Sequence, residues 1–141
     1  VRLRTLEAHD GDEVARQFAG LEGGVEFLLV VEDFRRRLDD ILDRCEAARL
    51  IVAEGRERFD ADVLLQHAAK SILTDIGEAA KHLDGLRDEL DGIPWSQVAA
   101  MRDRITHRYF DIDHDVVWDT LTVHLPQMAT TVREFLDRTE S

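Results

Sequence analysis

The stretch VEDFRRRLDDILDRCEAARLIVA, residues 31–53, repeats apolar side chains at steps of three and four positions. The members of this repeat are Phe34, Leu38, Ile41, Leu42, Cys45 and Ala48. Because about 3.6 residues make one turn of an α-helix, the spacing places these side chains on one face. Arginine and aspartate residues fall on the opposite face. The pattern predicts a long amphipathic helix from about Val31 to about Ala53, which Gly55 can end.

A second apolar stripe follows this helix and predicts a second long helix, with Asp60 as its N-cap. The residues of the stripe are Val63, Leu64, Ala68, Ile72, Ile76, Ala79, Ala80 and Leu83. The stripe ends at about Leu83, and Gly85 and Gly92 then bracket a short amphipathic piece. We therefore expect the second helix to end before this pair of glycines.

Two further helices are predicted in the last third of the chain. Pro94 suits the first turn of a third helix, which we expect to run from about Pro94 to His107 or Tyr109. Asp113 can cap a fourth helix, in which Pro126 should produce a kink. The apolar face of the fourth helix contains Val116, Val117, Leu121, Leu125, Met128, Val132, Phe135 and Leu136.

Four or five amphipathic helices with short connections predict an all-α fold, an antiparallel helical bundle. Residues 1–29 differ from the rest because four glycines interrupt them. One interpretation is a loosely attached N-terminal extension with one short helix between Asp12 and Leu21. Another is that the reading frame as given starts upstream of a functional N-terminus near Val30 or Val31. Either interpretation gives a helical domain over residues 30–138.

The composition limits the classes of function. A net charge of −12 over 141 residues would repel a polyanion, so any nucleic-acid site has to be a local basic patch. Cys45 is the only cysteine, which excludes an intrachain disulfide and a zinc site of several cysteines. We expect a cytoplasmic protein, since no apolar run reaches the roughly 20 residues of a membrane span and no secretion signal is recognisable.

The octapeptide RDRITHRY, residues 102–109, brings together side chains that suit phosphodiester chemistry. The Arg102 guanidinium can hold a phosphate through two parallel hydrogen bonds. The His107 imidazole can move a proton near neutral pH, and Tyr109 offers a hydroxyl that could itself be modified. A plainer interpretation is a solvated Arg–Asp surface pair and a histidine that complements a helix end.

The helical positions of these residues bear on how they could meet. On a continuous helix, Arg102 and Tyr109 lie at the edge of the apolar seam and His107 lies on the polar flank. Either the helix unwinds near His107, or a second subunit brings another copy of the motif alongside. We favour a two-fold homodimer in which two basic sites merge into one cleft.

The longer segment IPWSQVAAMRDRITHRYF, residues 93–110, closely resembles the signature of the HepT-like HEPN ribonuclease toxins. The resemblance continues through Asp113 to Trp118, Asp119 and Leu121, and it includes IGEAAK at residues 76–81 on the preceding helix. It covers about residues 31–136. An R-x4-H pattern alone recurs by chance, whereas R-x4-H-x-Y with a preceding I-P-W and a following tryptophan is much more specific.

The resemblance implies a HEPN-type bundle that dimerises around the motif and acts as an endoribonuclease without a metal or another cofactor. According to this resemblance, His107 would transfer protons at the 2′-hydroxyl or at the leaving oxygen of RNA, and Arg102 would bind the scissile phosphate. The supporting RNA-binding residues would be Asp103, Arg104, Thr106 and Arg108. Asp103 departs from the family pattern, in which this position is polar and often asparagine, so its charge would partly offset Arg102.

The same resemblance implies a toxin–antitoxin pair. The partner would be a small nucleotidyltransferase antitoxin of the MNT type, which would transfer AMP to Tyr109. The added negative charge would block the site for RNA phosphate. No membrane or DNA partner is implied. The alternative function is a non-catalytic helical module that docks a nucleotidyltransferase, and a purely structural bundle is the remaining possibility.

Other candidate residues have simpler expected roles. Glu78 and His82 share a helical face, but without a Glu-x-x-His motif we expect no metal site. Gly77 can let two helices approach closely, and Glu78 could be structural or line the cleft. The isolated histidines His67, His114 and His124 are expected to be solvated or hydrogen-bonded. Core packing is expected for Trp95, Trp118 and Cys45.

Overall fold

The computed structural model describes residues 24–83, 90 and 92–140. Its helices are α1 (Gly24–Ala53), α2 (Arg56–Ala61), α3 (Val63–Lys81), α4 (Trp95–His107), α5 (His114–Asp119) and α6 (Leu125–Glu140), with a π-helical turn (Thr120–His124) between α5 and α6. No strand occurs in this part of the chain. The prediction of an all-α helical bundle is therefore confirmed.

Helix α1 begins at Gly24, earlier than the predicted start near Val31, and ends at Ala53 as predicted. No glycine or proline interrupts the chain between Gly24 and Gly55, so nothing breaks the helix before Val31. Gly55 has a φ of 92°, a left-handed conformation that favours glycine and separates α1 from α2. Residues 1–23 lie outside the described residues, and the division of the chain at residue 29 stays a prediction.

The apolar spacing of α1 identified the core correctly. Five of its six predicted positions are buried, and Leu42 packs against them half-buried. The buried core residues of α1 include Phe34, Leu38, Ile41, Cys45 and Ala48. Burial raises the pKa of the Cys45 thiol to about 11, and Arg133 opposes this shift slightly. The thiol therefore behaves as a small buried apolar group, as expected.

The predicted start of the second helix is wrong. Asp60 lies inside the short helix α2, and Asp62 is the N-cap of α3, where its side chain accepts a hydrogen bond from the backbone N–H of Leu64 at 2.9 Å. Val63 and Leu64 were expected in the core but are 59% and 77% exposed. The reason is that α2 inserts Phe59, which is fully buried, at this end of the bundle.

The second helix also ends slightly earlier than predicted. Helix α3 stops at Lys81, while Leu83 is buried as the stripe predicted. The short piece expected between Gly85 and Gly92 lies mostly outside the described residues.

Helix α4 begins at Trp95, with Pro94 as its N-cap residue rather than its first residue. Asp113 caps α5 as predicted, because its side chain accepts a hydrogen bond from the N–H of Asp115 at 2.8 Å. The interruption expected at Pro126 appears as the π-helical turn just before it. There the N–H of Leu125 bonds to the carbonyl of Thr120, and this wider turn relieves the clash that proline causes in a regular helix.

Helices α5 and α2 are joined at the protein surface. The Arg56 guanidinium hydrogen-bonds to Asp115 and to Asp60, and these two bonds raise its pKa. Beneath this contact the rings of Phe59 and Trp118 lie 5.2 Å apart, so Trp118 packs on the core as expected. Among the described residues, no helix combines the length and the apolar composition that a membrane span requires.

Helix α3 lies against both α1 and α4, and α6 packs on α1. Contacts along α3 and α4 run in opposite directions: Gly77 meets Arg102, whereas Lys70 meets Tyr109 beyond the end of α4. The two helices are therefore antiparallel, as a bundle with short connections requires. This pairing places the whole octapeptide of residues 102–109 beside α3.

Candidate active site

Gly77 on α3 sets the position of Arg102 on α4. A Cβ atom at residue 77 would lie 2.6 Å from the Cβ of Arg102, 3.0 Å from its Cγ and 3.1 Å from its Cδ. No other residue type fits there without moving α4, because real Cβ atoms do not approach so closely. The aliphatic part of Arg102 is thus packed directly on the backbone of α3.

The Arg102 guanidinium is paired with two carboxylates. Its Nη2 lies 2.8 Å from Oε2 of Glu78, and its Nη1 lies 3.5 Å from Oδ1 of Asp103. The side chain is only 22% exposed, and its buried Nε has no hydrogen-bond partner among the described residues. Packing and charge therefore fix the group before any ligand binds, and a phosphate would have to compete with carboxylates for it.

His107 is the last residue of α4, and its side chain is exposed. The helix continues without a break from Arg102 to His107 and ends there, with the N–H of Arg108 bonded to the carbonyl of Arg104 at 2.8 Å. Within the described chain, no hydrogen bond or ion pair joins Arg102 to His107. The two predicted catalytic residues therefore lie on one helix, and no polar contact joins them among the described residues.

Tyr109 is held against α3 by two side chains. The Tyr109 hydroxyl is hydrogen-bonded to Nδ1 of His67, and the two rings stack with centroids 5.4 Å apart and planes inclined by 21°. The Nζ of Lys70 lies 4.4 Å from the centroid of the Tyr109 ring and donates a hydrogen bond to the Tyr109 carbonyl at 2.7 Å. Phe110 meets the same ring edge-on at 5.3 Å. The tyrosine is thus fixed on several sides.

The sequence interpretation missed Lys70, and it gave His67 only a general polar role. Lys70 is 6% exposed, an unusual burial for a lysine, and its charge is balanced by the Tyr109 ring and carbonyl. The sequence did contain a signal for the roles of His67 and Lys70. Their helical spacing relative to Gly77 and Glu78 puts all four residues on the side of α3 that meets α4. We call these four residues the α3 contact face.

Three of the predicted supporting residues are exposed near His107 and unpaired. Arg104, Thr106 and Arg108 have no ion pair or side-chain hydrogen bond with any residue in the described ranges. Arg104 and Arg108 border a surface pocket of about 380 Å³ that also contains Ile112 and Val116. Because most arginines elsewhere in the described chain are paired with carboxylates, these two are distinctive in an acidic protein.

The remaining candidate residues lie outside the octapeptide, although His124 lines a pocket of about 500 Å³ together with Arg104. His114 is 4.0 Å from a carboxylate oxygen of Asp60, and His124 is 3.5 Å from Asp119. Trp95 packs half-buried against the core. Within the described residues, no group of three or more histidine, cysteine, aspartate or glutamate side chains is arranged to hold a metal ion.

Comparison with known proteins gives a consistent result. The family model described as "Ribonuclease HepT-like" matches residues 41–135, a range that contains every residue of the site described above. The chain is 32% identical over 106 residues to a protein of Caldanaerobacter subterraneus subsp. tengcongensis named "Putative RNase", an alignment that covers 74% of this chain and 95% of that protein. It is also 35% identical over 99 residues to "Probable ribonuclease HepT" of Thermococcus cleftensis, with 67% of this chain and 90% of that protein covered. No solved structure matches the chain significantly.

Proposed function

The chain belongs to the ribonuclease HepT-like family, and from that premise we propose that it is a metal-independent endoribonuclease, the toxin of a toxin–antitoxin pair. The observation that carries the proposal is the placement of Arg102 and His107. Arg102 is held in a fixed position by its packing against Gly77, and His107 is exposed at the end of the same helix. A phosphate-binding guanidinium and a proton-transfer group are the two functions that RNA cleavage requires.

In the proposed reaction, the 2′-oxygen of RNA attacks the adjacent phosphorus and the 5′-oxygen of the next nucleotide leaves. His107 takes the proton from the 2′-hydroxyl or supplies one to the leaving oxygen. Arg102 binds the non-bridging oxygens and stabilises the charge that develops on them. DNA lacks the 2′-hydroxyl, so it is not a substrate of this reaction.

A homodimer completes the site in this proposal. No hydrogen bond or ion pair joins Arg102 to His107 in the described chain, and their positions on α4 differ by about 140° around the helix axis, so we do not expect a single copy to turn both groups toward one phosphate. Two copies related by a two-fold axis would place the exposed His107 of each chain beside the other copy of the motif. Self-association is therefore part of the mechanism.

The unpaired Arg104 and Arg108, with Thr106 between them, are proposed to bind the RNA backbone beside the scissile phosphate. They would supply the local basic patch that a chain with a net charge of −12 needs in order to bind RNA. Repulsion between the acidic remainder of the surface and the RNA phosphates should make this binding weak. Because the binding depends on charge, we expect it to be sensitive to the salt concentration.

Regulation is proposed to act through Tyr109. A nucleotidyltransferase antitoxin would transfer AMP to its hydroxyl, close to the residues that bind RNA phosphates. The phosphate introduced there is negatively charged and repels a second phosphate. Tyr109 is only two residues from His107, which supports an inhibitory role for the modification.

The test is cleavage of RNA by the purified protein in EDTA. The wild type should cleave, and His107→Ala and Arg102→Ala should each lose at least about a hundredfold in rate, the usual contribution of such groups. Arg49→Ala is the control, because this exposed arginine pairs with Glu46 on α1 and its loss should leave the rate unchanged. Equal cleavage by wild type and His107→Ala, or an absolute requirement for a metal, would overturn the proposal.

A second candidate function is a non-catalytic module that docks a nucleotidyltransferase. The pairing of Arg102 with Glu78 and Asp103 favours it, because two carboxylates reduce the attraction of the guanidinium for phosphate. This function predicts a stable complex with the nucleotidyltransferase and no turnover of RNA. His107→Ala would then leave the complex intact.

A further inference from the structure

The hydroxyl of Tyr109 is bonded to a group that can accept its proton. The contact is with Nδ1 of His67, an imidazole nitrogen, and the two rings are nearly parallel. His67 is exposed, so its other ring nitrogen can pass a proton to solvent. A nucleophile hydrogen-bonded to a base is the usual arrangement by which a protein activates a hydroxyl.

A buried cation lies against the same ring. Lys70 Nζ is 4.4 Å from the centroid of the Tyr109 ring, and the lysine is 6% exposed. Little water screens such a charge, and a cation attracts an aromatic ring more strongly as the ring gains electron density, so Lys70 is placed to stabilise negative charge that develops on Tyr109 during a reaction. The hydrogen bond from Lys70 to the Tyr109 carbonyl also keeps the ring in place over α3.

From this geometry we propose that His67 is the general base that activates Tyr109 for nucleotidyl transfer, and that Lys70 stabilises the phenolate. This inference rests on the proposed role of Tyr109 as the AMP acceptor. The oxygen of Tyr109 attacks the α-phosphorus of ATP, a new phosphorus–oxygen bond forms, and the bond to pyrophosphate breaks. The phenolic proton moves to Nδ1 of His67, and pyrophosphate leaves with its electron pair.

The consequence is that the acceptor chain supplies its own base. The nucleotidyltransferase would then need to deliver ATP and its metal ions but no group to deprotonate the tyrosine. The product has no phenolic proton to donate, so the hydrogen bond in its present direction is lost, and Nδ1–H of His67 can instead donate to the new phosphate group.

The first test measures the nucleophilicity of Tyr109 without any partner. Tyr109 is the only tyrosine in the chain, so acetylation by N-acetylimidazole that hydroxylamine reverses reports on this residue alone. His67→Ala should slow this acetylation at neutral pH by about tenfold or more, as removal of a general base does. His67→Gln can still accept the hydrogen bond but cannot take the proton, so it should react as slowly as His67→Ala.

The controls separate a base from a structural contact. His124→Ala should acetylate at the wild-type rate, and all variants should keep the wild-type melting temperature within a few degrees. Acetylation of His67→Gln at the wild-type rate would overturn the inference, because it would show that the hydrogen bond alone matters.

The second test uses ATP and a purified nucleotidyltransferase of the MNT type, with intact mass and peptide mapping as the readout. The wild type should gain AMP on Tyr109, His67→Ala should gain it on the order of a hundredfold more slowly, and added imidazole should restore part of the rate. No AMP on wild-type Tyr109 would overturn the proposed regulation. If the wild type, His67→Ala and His67→Gln all gained AMP at the same rate, the role of His67 as a base would be overturned while the proposed regulation through Tyr109 would stand.

Discussion

Replacement of Gly77 by alanine should impair both stability and cleavage, since it inserts a methyl group between α3 and the stem of Arg102. The added Cβ would lie 2.6 Å from the Cβ of Arg102, and that atom cannot rotate away because it is fixed to the backbone of α4. The overlap between the two Cβ atoms can therefore be relieved only if the helices move apart by several tenths of an ångström. The guanidinium that pairs with Glu78 moves with them.

The stability change follows from two opposing terms. Overpacking of this kind costs about 1–3 kcal/mol, whereas alanine is favoured over glycine inside a helix by about 1 kcal/mol. The net destabilisation of Gly77→Ala is therefore about 1 kcal/mol, or roughly 3–5 °C in Tm for a chain of this size. A misplacement of about 1 Å at a catalytic group can cost on the order of a hundredfold in rate, so a shift of several tenths of an ångström should slow cleavage by about tenfold.

The assay is thermal unfolding by circular dichroism together with RNA cleavage in EDTA. Gly92→Ala is a matched control: its Cβ would lie 2.8 Å from Oγ1 of Thr131 on α6, so it introduces a comparable overlap away from Arg102, at a hydroxyl that donates to the Gln127 carbonyl. It should retain wild-type cleavage. A Gly77→Ala protein with wild-type Tm and wild-type cleavage would show that Arg102 does not depend on the close approach of the two helices.

Three further predictions follow from charge. Asp103→Asn removes one carboxylate beside Arg102 and should raise kcat/KM for RNA cleavage up to about fivefold, the range expected for an exposed ion pair of 0–1 kcal/mol; a fall would show that the carboxylate is needed. Arg104→Ala and Arg108→Ala should each weaken RNA binding and reduce the slope of log affinity against log salt by about 0.7, measured by fluorescence anisotropy; an unchanged slope would place the RNA elsewhere. Finally, since burial raises the pKa of Cys45 from 9.0 to about 11, the contribution of Cys45 to the free energy of unfolding should be constant below pH 9 and fall by about 2–3 kcal/mol as the pH rises to about 11. The difference in free energy of unfolding between the wild type and Cys45→Ala, measured with urea, should shrink by this amount over the same pH range.

The sequence predicted the elements whose local signals agree with their packing. Helix α1 is the clearest case, because its periodicity, its glycine stop and its buried face all give the same boundaries at its C-terminal end. The prediction was wrong at Asp60, where a second aspartate two positions later competes for the cap. A fully buried Phe59 decides between them, and burial depends on tertiary contacts that a single helix pattern does not contain.

The candidate site could be predicted only in part for a related reason. The octapeptide of residues 102–109 is a local motif, so its members were identified from the sequence. The contact of Arg102 with Gly77 and that of Tyr109 with Lys70 join positions 25 and 39 residues apart, and they depend on the register between α3 and α4. A lysine within a helical stripe gives no local sign that an aromatic ring will cover its charge.

The three principal residues of the motif differ in how firmly α3 holds them. Arg102 packs on Gly77 and pairs with Glu78, and Tyr109 is bonded to His67 and Lys70 on the same helix. His107 has no such contact in the described chain. Of the three, it is the one that can turn toward a substrate or a second chain without breaking an interaction with α3. The proposed dimer, which would align His107 with a held Arg102, would therefore need no rearrangement of the bundle, and the proposed modification of Tyr109 would block the same space without unfolding it.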